Sequence, residues 1–402
     1  MDHIGVGTFT TTPRMREYVN QVLDSNRISY GPFSRRFEQE FATLHDSRYG
    51  VLSNSGTSSL HVAIQAMKEL YDWQDGDQII VPAVTFVATI NVILHNNLVP
   101  ILVDVEPEYY GMRVDHISRA ITDRTRAILP VHLFGQPCDM TAILAIARQY
   151  NLKVIEDSCE CMFVSHAGRK AGSWGDVGCF SMYVAHLLTT GVGGMGITND
   201  PELAAKMRSL VNHGRDGIYI SIDDGREATG DHLKEVISRR FRFEAQGHSF
   251  RITEFEAALG CAQLEDWQTM ISQRQSNAAY LTERLAVYAD FIQLPTIRPG
   301  TEHAFMMYPI VLHDEHKTGL TAYLEERGIE TREMLPLTNQ PVYAGRFHEA
   351  FYPAAEWINQ SGFYVGCHQD LTKADLDQIV HWIGAYVVQP EWLAKQIIER
   401  VL

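Results

Sequence analysis

Four short apolar runs constrain this chain more than any other feature: Ile79-Ile80-Val81, Ile101-Leu102-Val103, Ala127-Ile128-Leu129 and Val154-Ile155. Each is brief and lacks polar alternation, the pattern of a strand covered on both faces. Stretches with helical spacing separate them. Strands that alternate with helices imply a mainly parallel sheet joined by right-handed crossovers, so the fold class is α/β. In such sheets ligands collect at the carboxyl ends of the strands, against helix N-termini.

The flanking segments extend this reading. Thr12-Pro13 predicts a helix start, with Thr12 as cap and Pro13 as first helical residue, carrying Met15, Val19 and Val22. Ser55 to Tyr71 places Leu60, Ala63, Ile64 and Met67 at helical spacing. Past residue 255 the pattern changes. Glu254 to about Leu285 reads as one or two long helices, and Tyr308-Pro309-Ile310-Val311-Leu312 as one of several mixed strands. Thr372 and Asp375 form a capping pair for a closing helix with Leu376, Ile379 and Val380 on one face. The expectation is a large α/β domain over residues 1–255, then a long helix and a smaller α+β domain over 256–402.

Charge and cysteine content narrow the function classes. A formal net charge of −15 over 402 residues opposes a nucleic-acid partner, which needs clustered Lys and Arg. It leaves room for one phosphorylated small ligand held by a few local donors. No apolar run approaches the roughly 20 residues that cross a bilayer, and Met1-Asp2-His3-Ile4-Gly5 lacks a signal-peptide pattern. A cytoplasmic protein with no membrane contact is expected. The six cysteines are scattered, and Cys159-Glu160-Cys161 lacks the CxxC spacing of zinc or redox sites, so reduced thiols and no metal are expected.

Four segments carry possible chemistry. Ser53-Asn54-Ser55-Gly56-Thr57-Ser58-Ser59 is a small-residue loop opening a helix, able to hold a phosphate on free amides; it reads equally as an ordinary N-cap. Val154-Ile155-Glu156-Asp157 ends a buried strand in acids, where a carboxylate can pair with a protonated ring nitrogen or simply cap the next helix. Cys179 to His186, followed by Thr189-Thr190-Gly191-Val192-Gly193-Gly194, sets one of 17 histidines before a glycine-rich turn. Pro82-Ala83-Val84-Thr85-Phe86 puts an aromatic at a strand end, available to stack on a flat ring or to join the core.

In order and spacing these segments resemble the DegT/DnrJ/StrS family of sugar aminotransferases, of PLP-dependent fold type I. The likeness starts at Tyr30-Gly31-Pro32-Phe33 and runs through Ser55-Gly56-Thr57, Val81 to Phe86, Glu156-Asp157, Phe180-Ser181 and Thr189 to Gly194, to Arg251–Gly260. It implies that Gly56, Thr57 and Ser181 hold the phosphate of a vitamin B6 cofactor, that Phe86 stacks on its ring, and that Asp157 pairs with its nitrogen. The loop Gln246-Gly247-His248-Ser249-Phe250-Arg251 would reach the neighbouring subunit's site, implying a homodimer with shared active sites. Ser249 stands where the family usually has asparagine, and Val192 where it usually has glutamate.

The family's cofactor-binding lysine lies five residues after the serine matching Ser181, and here that position is His186. Imidazole cannot form the lysine's Schiff base, so pyridoxal or pyridoxamine phosphate would be held non-covalently. An unperturbed pKa near 6.5 suits His186 to moving protons in both directions. This exchange resembles the sugar 3-dehydratase branch that acts on GDP-4-keto-6-deoxymannose, and Glu160 agrees with that branch, whose members carry a similar acidic run. The resemblance implies removal of the 3-hydroxyl from a nucleotide-linked 4-keto-6-deoxyhexose, with L-glutamate as amino donor. Residues 187–260 contain no cysteine, so no iron–sulfur cluster is expected. His303, Tyr308, Arg332 and His368 are the candidate substrate residues. Two alternatives stand beside this: an aminotransferase-like enzyme working without the lysine, and a catalytically silent sugar-binding homologue.

Overall fold

The computed structural model describes residues 3–217, 228–313, 317–335, 337–347 and 351–388. Its strands are β1 (Tyr49–Ser53), β2 (Gln78–Pro82), β3 (Val99–Val103), β4 (Thr125–Ile128), β5 (Lys153–Asp157), β6 (Ser165–His166), β7 (Arg169–Lys170), β8 (Val177–Ser181), β9 (Gly194–Thr198), β10 (Ile292–Gln293), β11 (Met307–Leu312), β12 (Thr331–Glu333) and β13 (Gly362–Gly366). The first half of the helices comprises α1 (Pro13–Asp24), α2 (Pro32–Leu44), α3 (Gly56–Leu70), α4 (Val87–His95), α5 (Val114–Ala120), α6 (Met140–Gln149) and α7 (Pro201–Val211). α8 (Gly230–Arg239), α9 (Glu254–Leu264), α10 (Trp267–Leu285), α11 (Lys317–Glu325), α12 (Pro353–Ser361) and α13 (Lys373–Val387) follow.

A seven-stranded sheet in the order β1-β9-β8-β5-β4-β2-β3 forms the centre. Strands β3, β2, β4, β5 and β8 pair in parallel, and β9 runs antiparallel to both β8 and β1. The four apolar runs lie in or at the ends of β2, β3, β4 and β5, with Ile79, Ile80, Val81 and Ile155 completely buried, as strands between two helix layers require. Helix α3 supplies Leu60, Ala63, Ile64 and Met67 to the same core.

The second sheet is antiparallel, in the order β10-β11-β13-β12, with α10, α11 and α13 packed nearby. α9 packs on α1 and α2 beside the large sheet, whereas α10 packs on α13. The leading residues also join this part: Ile4 bridges Ile329, its amide donating to the Gly328 carbonyl at 2.8 Å, and its side chain enters the second core. Thr12 and Thr372 cap α1 and α13 as the sequence predicts, each with its capping box closed. Among the described residues no helix is long and apolar enough to cross a membrane.

Candidate active site

The carboxyl ends of β1, β2, β5 and β8 and the start of β9 share one edge of the large sheet. Ser53 and Ser181 flank Gly194 in register from opposite sides. Here α3 begins, with Ser55 as N-cap accepting the Ser58 amide at 3.1 Å. The Gly56 and Thr57 amides open this helix, where no carbonyl one turn earlier is available within the helix. Close approach fixes the glycines. A Cβ on Gly56 would lie 2.7 Å from both Cys159 Sγ and Ser181 Cβ, and one on Gly194 would lie 2.1 Å from the Ser55 carbonyl. Opening amides, an exposed Thr57 and the Ser181 hydroxyl suit a phosphate.

Asp157 ends β5 and is buried, which holds its carboxyl above the usual carboxylate range. Thr89 Oγ1 donates to its Oδ2 at 2.8 Å and the Cys159 amide to its Oδ1 at 3.2 Å, and both bonds favour the ionised form. A cationic ring N–H would offset the remaining burial cost. Phe86, the N-cap of α4, is 57% exposed beside this edge and offers a ring face for stacking. A phosphate cradle, a buried carboxylate and an open aromatic ring are the donor set a pyridoxine-type cofactor needs. Glu156 does different work. It accepts His132 Nε2–H at 2.9 Å and the amides of Gly172 and Gly175 at 2.8 and 2.6 Å, so it holds the chain together beneath the site.

His186 sits on the loop between β8 and β9. Its Nδ1–H donates to the Cys159 carbonyl at 2.6 Å, which leaves a lone pair on Nε2 when the ring is neutral. Burial, together with the positive charge of Arg274, pulls its pKa down to about 4, so the neutral ring predominates near pH 7. Gln263 of α9 clasps the loop, its Oε1 accepting the Thr189 amide at 3.0 Å and its Nε2 donating to the Thr189 carbonyl at 2.6 Å. Tyr183 stands edge-on to the imidazole, 6.3 Å between ring centres.

Glu160 adds a second titratable group. Its Oε2 accepts the amide of Phe134 at 2.8 Å, and burial, reinforced by the charge of Asp157, lifts its pKa to about 7. Phe134 holds a left-handed backbone (φ 58°), a strained conformation for an aromatic residue. Its ring meets Tyr364 of β13 at 5.7 Å. Thr89, Gln263, Phe134 and Tyr364 were not foreseen from the sequence. A threonine four residues after Thr85 at a helix start was the one available signal, and the Thr85–Thr89 hydroxyl bond of 2.8 Å bears it out.

The remaining predicted residues divide. Ser249 is exposed, its Oγ accepting from Arg251 Nη2 at 2.8 Å, and the Asn54 amide donates to the Phe250 carbonyl at 2.7 Å, which ties this loop to the phosphate edge. Arg332 pairs with Glu330 and lies opposite Tyr364 in register. His368 is buried within the electrostatic range of Arg274. Tyr308 and His303 need correction as substrate residues. Tyr308 is wholly buried in the small-domain core, its hydroxyl bonded to Thr282 at 2.8 Å, because side chains alternate along β11 and this position faces α10. His303 is turned inward, accepting the Phe305 amide at 2.9 Å and stacking on the Phe305 ring.

GDP-perosamine synthase of Caulobacter vibrioides is 34% identical over 370 residues, 91% of this chain and 93% of that protein. The solved structure of S. venezuelae DesV in complex with a ketimine intermediate superposes with a TM-score of 0.82 at 28% identity, covering 93% of this chain and 94% of that one. A GDP-4-keto-6-deoxymannose-3-dehydratase with a trapped PLP-glutamate geminal diamine shares the fold, with a TM-score of 0.84 at 23% identity over 94% and 99% of the two chains. These are fold type I structures. The family model for DegT/DnrJ/EryC1/StrS aminotransferases matches residues 10–384. The family match and the whole-chain likeness agree: the protein is an enzyme of the DegT/DnrJ/EryC1/StrS aminotransferase family, which uses pyridoxal phosphate.

Proposed function

We propose that this protein removes the 3-hydroxyl of a nucleotide-linked 4-keto-6-deoxyhexose, using non-covalently held pyridoxamine or pyridoxal phosphate. The observation that carries this reading is His186 in the lysine's place, with Nδ1 fixed on the Cys159 carbonyl and Nε2 left as a base. Pyridoxamine phosphate, when bound, supplies an amine for the 4-keto carbon and a ring that accepts electrons. Gly56, Thr57 and Ser181 hold the phosphate, Phe86 covers the ring, and Asp157 keeps the ring nitrogen protonated. Nε2 of His186 takes a proton and then returns it to the departing hydroxyl, which leaves as water. A shift between neutral and protonated imidazole is the cycle this side chain runs. Glutamate restores the amine form, in keeping with the glutamate adduct in the dehydratase structure. The exposed Ser249 loop completes the partner subunit's site in a homodimer.

The test is mass spectrometry of products from a panel of 4-keto-6-deoxy nucleotide sugars supplied with pyridoxamine phosphate and glutamate. A 3-deoxy ketosugar with ammonia release is the expected product. A retained amino sugar would instead support the second reading, an aminotransferase-like reaction without the lysine. That reading is favoured by one fact: the relative at 34% identity is a synthase of an amino sugar.

A further inference from the structure

The bond that Thr89 gives to Asp157 has a further partner behind it. Thr89 is completely buried, and its Oγ1 lies 2.8 Å from Oγ1 of Thr85, which is buried as well. A hydroxyl carries one hydrogen and two lone pairs. Thr89 spends its hydrogen on Asp157 Oδ2 at 2.8 Å, and an ionised carboxylate has none to return. Between the two threonines Thr85 is therefore the donor. The result is a directed chain, Thr85 O–H to Thr89 O–H to the Asp157 carboxylate, buried along its whole length.

Local structure explains why a second hydroxyl is needed. Thr89 lies in the first turn of α4, where a threonine hydroxyl readily turns back to a carbonyl three or four residues earlier. Here those carbonyls belong to Phe86 and Thr85, and the Thr89 amide already donates to Phe86 at 3.1 Å. A hydrogen bond accepted from Thr85 aims the Thr89 hydrogen away from the backbone and polarises it toward the acid. Thr85 is anchored in turn from outside the large sheet, its amide donating to the Leu335 carbonyl at 3.2 Å, two residues past β12. The other groups facing Asp157 are the Cys159 thiol and amide and, through space, His132, which Glu156 holds. Cys179 and Glu160, both lifted first by burial, also feel its charge. These neighbours are common to every variant below, so differences between variants report the hydroxyls.

We propose that Thr85 is a positioning residue whose hydroxyl orients Thr89 and so keeps the buried Asp157 ionised. It acts on the cofactor only through these two residues, and its effect there rests on the reading that Asp157 pairs with the ring nitrogen.

The test is a double-mutant cycle of Thr85→Val and Thr89→Val, with Thr85→Ser as the conservative variant. Two quantities are read. One is pyridoxamine phosphate affinity by fluorescence titration. The other, in cofactor-free protein, is the pH at which the infrared carboxyl band that Asp157→Asn removes titrates. Thr85→Val should weaken cofactor binding by roughly threefold and move the Asp157 titration to higher pH. Thr85→Ser should match wild type, and Thr85→Val should add nothing in the Thr89→Val background. Equal effects of Thr85→Val in both backgrounds overturn the relay, because they assign Thr85 to packing or to the adjacent Phe86. An Asp157 titration that Thr85→Val leaves unmoved overturns it too. Should Thr85→Val fail to fold, Thr85→Ala takes its place against the same controls. An Asp157→Asn protein that binds the cofactor as wild type does removes the ring-nitrogen reading, while the infrared titration still decides the relay.

Discussion

His186 and Asp157 are each positioned by a single strong local bond network, and single substitutions read it out. Replacing His186 with Asn keeps a polar side chain but removes the base, so turnover should fall by roughly 10²–10⁴-fold in the product assay. Thr89→Val preserves shape and removes the O–H that stabilises the Asp157 carboxylate. Its pKa should rise further, and pyridoxamine phosphate should bind roughly tenfold more weakly in a fluorescence titration. His186 and Asp157 were singled out through the family resemblance, which counts each from a matched motif. Thr89 and Arg274 were not, since their contacts cross long stretches of chain. Tyr308 misled for a related reason: alternation along a strand says which residues share a face, and only packing says which face meets the pocket.

At the scale of elements, the cradle depends on how closely α3 approaches β8. Gly56→Ala would push a methyl into Cys159 and Ser181, and cofactor affinity should drop by roughly tenfold while the far-ultraviolet circular dichroism is retained. Gln263→Ala releases both of its bonds to the Thr189 backbone and loosens the loop that carries His186. Here kcat should fall while cofactor affinity holds, a split that steady-state kinetics resolves. The parallel strands, α1, α3 and α13 were readable from apolar runs and caps. β9 was not. Gly194-Met195-Gly196-Ile197-Thr198 has two glycines that lower its strand propensity, and it is a strand because β1 and β8 pair with it on both sides.

For the whole molecule, buried imidazoles set the response to acid. Burial depresses His45, His61, His186 and His368 to about 4 and His303 to about 3. A depressed histidine contributes stability above its unfolded pKa near 6.5 and loses that contribution as pH falls through the folded value. Glu160, Asp157 and Glu106, raised by burial, act in the opposite sense, contributing at low pH and losing it as pH rises. Burial lowers His166 and His248 in the same sense as the other depressed histidines. His132, which burial would lower but its hydrogen bonds to Cys138 and Glu156 raise to about 10, joins the opposing groups. Seven groups outweigh four, so the melting temperature should be lower at pH 5 than at pH 7.5 at fixed ionic strength. The two-sheet plan was legible from the change of pattern near residue 255. The return of Ile4 to the small sheet was not, because a single residue pairing carries no periodicity.

That return has a practical side. Gly7 rests against Ala185, with room for no Cβ beyond 2.9 Å from its Cα, one residue from the imidazole. Proteolytic trimming through Gly7 should silence turnover before it lowers the melting temperature, and a fusion partner attached just ahead of Ile4 should disturb a histidine it never touches.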